Sequence, residues 1–271
     1  MGLDVYVGTL TRYHAGDWET ILQQLAADFE EPGPSAVQPT GSEAAELAVK
    51  HAKALATLRQ AVEKLGGRIE IAGERPQLSE ADRRRIERDV AAWQKRLARK
   101  VKGRIGGDFE WDETRGAPFF TDKPGWDGYL ALVLWAAHEE NPDVVRPTKL
   151  PEDWTKDPAW QASASDGFTT KYAQLIRRPE VWLPPDFPFT FEAKELGGKK
   201  ITFGSSPTLL RELRILNERT WRADAATLGQ WRFAGPDLNR SLELNARFAF
   251  AIFLELCGKS VAHRLPMKLD Y

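Results

Sequence analysis

Where an alternating segment, "KKITFG", meets a helical one, "SPTLLRELRILNERTW", the chain reads glycine, two serines and a proline at 204–207. Serine followed by proline is a favoured helix opening, because the hydroxyl caps free backbone N–H groups and proline presets the first helical φ. A strand-to-helix turn of this kind also gathers unpaired N–H donors at the positive end of a helix, which suits an anion. Ser205, Ser206 and Arg211 are therefore the candidate anion-binding residues, with Arg214 close behind. A nucleophilic serine would sit in a similar place, but the elbow pattern G-x-S-x-G is missing and the chain reads F-G-S-S-P. An ordinary helix cap is the competing account.

The second candidate is electrostatic. Residues 81–104 carry ten lysines and arginines against three acids, a local balance of +7 in a chain whose net charge is −1. Arg84, Arg88, Arg96 and Arg99 on such a surface would steer an acidic protein partner toward it. Nucleic acid is the weaker alternative, since Trp93 is the lone ring among these cations and falls on the apolar stripe. Helices also carry charge simply to stay wet. The next stretch, 108–127, has the opposite sign, with six acids and two bases. Its rings suit a loop anchored to the core and displaying its acids, so Trp111, Asp112, Glu113 and Trp126 are candidate partner contacts. The spacing of its acids matches no calcium or magnesium loop.

Histidines at 14, 51, 138 and 263 form no zinc spacing, and neither a metal nor a cofactor is expected. His138 ends an apolar helix, where it complements the helix dipole; it is also a candidate general base, with Asp4 and His14. Asp4 and Tyr6 share one strand face, near Tyr13, His14, Asp17, Trp18 and Glu19, and a cleft there would suit a small ligand. Cys257, the only cysteine, sits in an apolar helix as a packing residue.

These groups need a frame. "LDVYVGTL" has the period of a half-buried strand. A helical stripe follows over 17–29, then a Pro/Gly-rich linker at 30–41. One long helix opens at Thr40 with Glu43 in a capping box and ends at Gly66-Gly67. A second opens behind Ser79, keeps Ile86, Val90, Trp93, Leu97 and Val101 on one face, and stops at Gly103. A short connector, 68–72, makes the pair an antiparallel α-hairpin. Helices are also expected over 126–140 capped by Asp127, 169–178, 206–221 and roughly 237–262, with Leu244, Phe248, Ile252, Phe253 and Leu256 dominating the last. Residues 141–167 read as loop, and "FPFTFEA" with "KKITFG" as a β-hairpin.

The resulting class is α+β: mostly helical, with a small antiparallel sheet and a long α-hairpin. The expected divisions are an N-terminal strand and helix (1–29), a basic α-hairpin (40–104) and a main body (105–271). The longest apolar runs, 129–137 and 248–254, fall far short of the roughly 18 residues that span a bilayer. With no basic leader region, the expected compartment is the cytoplasm and no membrane partner is expected. No catalytic constellation is complete in the sequence. The leading expectation is thus a cytosolic binding or regulatory protein, such as an immunity-type inhibitor, acting through a charged protein–protein interface. The alternative is an enzyme acting on an anionic, phosphate- or carboxylate-bearing small substrate.

Overall fold

The computed structural model describes residues 2–21, 23–24 and 78–271. The chain divides into two compact units, Met1–Thr20 with Leu78–Tyr271, and Ile21–Gln77. The expected helix over 17–29, the linker, the first hairpin helix and the 68–72 connector lie almost wholly outside the described residues.

A six-stranded sheet organises the first unit, in the order β2-β1-β6-β3-β5-β4. Its strands are β1 (Asp4–Val7), β2 (Phe120–Asp122), β3 (Val181–Leu183), β4 (Phe191–Lys194), β5 (Lys200–Ser205) and β6 (Met267–Asp270). The sheet is mixed, which corrects the small antiparallel sheet expected from sequence. β4 and β5 do form the expected hairpin, Phe191 opposite Phe203. β5 then lies between β4 and β3 and runs parallel to β3. The strands that extend the sheet, β2, β3 and β6, have only three or four residues each, too few to display a period.

Side chains alternate across the sheet and feed a core on each face. Val5, Val7, Trp182, Met267 and Leu269 point into the larger core. Val181, Leu183, Phe191, Ile201 and Phe203 point into the smaller one. β1 is paired on both edges, by β2 and β6, and its polar face is buried as well. Tyr6 packs on Trp18 and Tyr13, and Asp4 is paired with Lys123 at 2.9 Å. The face considered for a ligand is therefore filled by the protein's own rings.

In chain order the helices are α1 (Leu10–Ala15), α2 (Glu80–Val101), α3 (Gly125–Glu140), α4 (Pro158–Ala164), α5 (Ala173–Ile176), α6 (Ser206–Arg219), α7 (Ala225–Ala234) and α8 (Leu242–His263). α2 matches the sequence expectation closely. The Ser79 hydroxyl accepts from the Asp82 N–H, and Val90, Trp93, Leu97 and Val101 are buried. Trp93 fixes it to the sheet, donating from Nε1 to the Lys194 carbonyl at 2.8 Å and packing on Trp111 and Phe203.

α3 and α8 build the larger core. Gly128 lets them approach, since a Cβ there would meet the Ala249 Cβ at 3.2 Å. α3 begins at Gly125, so Asp127 lies in its first turn without capping it. The expected 237–262 helix is shorter and follows a break. α7 ends at Gly235, whose φ of +73° and ψ of −173° suit only glycine. Pro236 follows, and α8 starts behind Ser241, which accepts from the Leu244 N–H. Leu244 consequently faces outward, 49% exposed. The expected 141–167 loop contains α4 and a 3₁₀ turn at Trp154–Lys156.

Candidate functional site

α3 is apolar nearly throughout, and its last turn turns polar. Trp135, His138 and Glu139 stand at i, i+3 and i+4 and so share one face. His138 is 2% exposed and its Nε2 lies 3.0 Å from Asp157 Oδ2. Asp157 is held by its own role: Oδ1 caps α4, accepting from the N–H groups of Ala159 and Trp160. Asn141 Nδ2 ties the end of α3 to α4 through the Ala137 carbonyl and Ser163 Oγ, each at 2.8 Å. A carboxylate only accepts, so His138 donates from Nε2 and, in the neutral ring, Nδ1 keeps the lone pair.

This face borders a cleft of about 980 Å³. Its other walls come from the 142–146 loop, the end of α6, α7 and the start of α8. Trp135 stacks on Trp221 with centroids 5.1 Å apart, and Trp221 meets Trp231 edge-on at 5.4 Å. Two guanidiniums lie on these rings, Arg146 over Trp135 at 3.8 Å and Arg247 over Trp231 at 5.2 Å. Arg219 is bonded to Glu139 at 3.1 Å, and Glu139 also accepts from the Tyr172 hydroxyl at 2.6 Å. Arg247 pairs with Glu243 one turn back.

Three guanidiniums thus face two carboxylates. Arg146 is the odd cation. Burial holds it below the usual arginine value, and Glu243 and Glu139 act on it only from a distance. Among the described residues, ten buried side-chain polar atoms make no hydrogen bond, two of them sitting in ion pairs, and five belong to residues that line this cleft: Trp135 Nε1, His138 Nδ1, Arg146 Nε, Trp221 Nε1 and Arg247 Nε. Four of the five can only donate. A buried donor without an acceptor costs about 1–3 kcal/mol, and these five atoms come from four separate segments that meet around the cleft. A histidine oriented by a carboxylate is also the arrangement of a general base. Among the described residues, no serine, threonine or cysteine is bonded to its free nitrogen, so the cleft has the equipment to bind and to accept a hydrogen bond.

The anion-binding and partner-binding residues singled out from sequence lie elsewhere. Ser205 and Ser206 are fully buried. The Ser205 hydroxyl caps α6, donates to the Pro185 carbonyl at 2.9 Å and receives the Phe187 N–H at 3.3 Å. The Ser205 N–H goes to Gln174 Oε1, and Ser206 Oγ is bonded to Ser260. Arg211 is paired with Asp186. The turn is sealed, and its donors are satisfied within the protein.

Trp111 and Glu113 are also inside rather than on display. Trp111 packs against Trp93 and Phe109. Glu113 takes the free N–H groups of Leu10 and Thr11 at the start of α1, and the Trp111 indole N–H at 2.6 Å. Burial raises its pKa against those bonds. Asp112 accepts from Thr114, and Trp126 lies against Tyr271 and Tyr129. Arg84, Arg88, Arg96 and Arg99 are all exposed on α2. Arg84 is bonded to Glu80. Among the described residues, Arg88, Arg96 and Arg99 have no acidic partner.

Sequence reasoning singled out His138 and missed the other residues of the cleft. Comparison of the chain with protein-family models, curated proteins and solved structures gives no match. The reading of the site therefore rests on its own chemistry.

Proposed function

We propose that this protein binds a small anionic ligand, carboxylate- or phosphate-bearing, in the cleft between α3, α6, α7 and α8. The observation that carries the reading is the excess of positive charge there: three guanidiniums against two carboxylates already engaged. Charge-assisted hydrogen bonds to such a ligand are the strong kind. The tryptophans give the ligand flat apolar walls. Of the three acid–base candidates read from sequence, His138 is the one that lines this cleft.

Stacked indoles also report on the site. Titration with sodium phosphate or acetate is expected to change tryptophan fluorescence saturably. In Arg146→Gln the affinity should fall by about 10- to 100-fold, from the roughly 1.5–3 kcal/mol of a bond to a charged group. Linear, unsaturable responses to every anion up to high millimolar concentration would remove the proposal.

A second reading keeps the protein partner. It is favoured by Arg88, Arg96 and Arg99, which stand exposed and, among the described residues, without acids, on a helix that Trp93 anchors firmly. An acidic surface on another protein is the matching partner, with nucleic acid the lesser alternative. Charge reversal at Arg88, Arg96 and Arg99 should abolish capture of that partner while leaving thermal stability unchanged. Recovery of the same partners by the reversed variant would show the face to be merely solvated. Binding that drops steeply between about 50 and 200 mM salt would favour nucleic acid.

A further inference from the structure

Beside the cleft, and sharing Trp231 and Arg247 with it, lies a second cavity of about 380 Å³. Ala234, Pro236, Leu238 and Leu244 supply its apolar walls. Leu238 is 86% exposed and Leu244 49%. Together these side chains make a small apolar patch at the rim of the cavity, a surface that a ligand's hydrocarbon portion can cover.

The turn that carries Leu238 is held in place. Asp237 N–H donates to Asn245 Oδ1 at 3.1 Å and Asn245 Nδ2 returns a bond to the Asp237 carbonyl at 3.1 Å. Asp237 Oδ2 accepts from the Ser241 N–H at 2.8 Å. Gly235 and Pro236 fix the approach from the other side. A leucine presented on a turn bonded at both ends has no slack with which to tuck itself away.

Resting on the anion reading of the cleft, we infer that its ligand is amphipathic: an organic carboxylate whose charged head meets Arg146 and Arg219, and whose hydrocarbon portion passes over Trp231 to cover Leu238 and Leu244. Arg247 serves both parts, its guanidinium at the cleft and its stem along the groove. Charge complementarity selects the head, and the border of Trp231 and Arg247 that the two cavities share selects the tail. A free acid fits this better than a phospholipid surface, because the charged part lies in a recess walled by three tryptophans.

Binding of acetate, hexanoate, octanoate and 1-octanol to the intact protein, followed by calorimetry and tryptophan fluorescence, tests the inference. Each buried methylene should tighten binding about fourfold, so octanoate is expected to bind on the order of 100-fold more tightly than acetate even with half its chain covered. Octanol should bind far more weakly than octanoate. The double variant Leu238→Gln/Leu244→Gln, altered only at exposed positions and without added charge, should bind acetate as before and lose the dependence on chain length. Equal affinities for acetate and octanoate in the unaltered protein would overturn the amphipathic ligand and leave the anion site standing. Failure of every anion to bind would overturn both. Capture by anionic phospholipid vesicles without binding of free octanoate would also overturn it, in favour of a membrane surface.

Discussion

The two ends of α6 deal with hydrogen-bond donors in opposite ways. At the start, Ser205 and its neighbours form a closed network. Gln174 Oε1 accepts the Ser205 N–H, and the buried Glu212 carboxylate accepts the Gln174 N–H. The serine hydroxyl bridges the Pro185 carbonyl and the Phe187 N–H. At the far end, Arg219 and Trp221 border the cleft where five polar atoms have no partner. The closed end resembles an anion site in sequence and serves as a structural junction. The open end carries no motif and keeps its donors in reserve. A cap residue, being local, is satisfied by local structure, whereas donors brought together from distant segments have no built-in partner.

Changes at the closed end should therefore act on stability and leave the ligand alone. The largest effect is expected from Gly204→Ala. A Cβ at this position would overlap Gln174 Oε1 and stand 2.8 Å from both Pro179 Cγ and Trp182 Cδ1. Two of these belong to a ring and an indole locked in the core, so the cost should be about 3 kcal/mol, at the upper end for overpacking. A urea midpoint close to that of the unaltered protein would show that the junction yields. Ser205→Ala comes next at about 2 kcal/mol, since it removes a cap and strands the Pro185 carbonyl and Phe187 N–H. Its anion affinity should be unchanged. A parallel loss of anion binding would return the site to the serine turn.

Glu212 gives the closed end a pH signature. Desolvation raises its pKa well above 4.5, and two backbone N–H bonds pull the other way. The folded state then holds its proton to higher pH than the unfolded state does. Its contribution is thus greatest below about pH 4.5 and is lost as pH rises through the folded value, at about 1.4 kcal/mol per unit of separation. Glu113, also raised by burial, acts in the same direction. His14, lowered by burial and by Lys268, acts oppositely as pH falls through its ordinary 6.5. Comparison with Glu212→Gln isolates the one carboxyl: the stability advantage of the unaltered protein over this variant should shrink as pH rises from 4.5 to 8. A difference that stays constant across that range would show that Glu212 is not strained by its burial.

The same contrast explains what could be read from the residues alone. α2 was legible because its cap, Ser79 with Asp82, and its stripe of Val90, Trp93, Leu97 and Val101 are all local. So was the β4–β5 hairpin. β2 and β6 were not, because each takes its meaning from pairing with β1, more than 100 residues away. The cleft was hidden for the same reason. Trp135, Arg146, Trp221 and Arg247 become neighbours only once α3, α6, α7 and α8 are packed. Two local signs pointed toward it: the abrupt polar ending of α3 at His138-Glu139-Glu140, and an excess of tryptophan. The groove beside it was masked by starting the last helix at 237, within the turn that precedes Leu242. Glu113 misled in the other direction, since a carboxylate in an acidic loop gives no hint that it will cap a helix more than 100 residues away.

The smallest effect on stability is expected at the open end. Arg146 is desolvated without a salt bridge, which costs energy, and it lies on Trp135, which returns about 0.5–2 kcal/mol. Arg146→Gln should therefore shift folding stability by no more than about 0.5 kcal/mol in either direction, the opposite of its expected effect on affinity. Thermal midpoints with and without a saturating anion separate the two. Without anion the variant and the unaltered protein should melt together, and with anion the unaltered protein should rise further than the variant. If Arg146→Gln alone cost more than about 2 kcal/mol, the guanidinium would be part of the packing like Ser205, and the cleft would cease to differ in kind from the sealed turn at the other end of the helix.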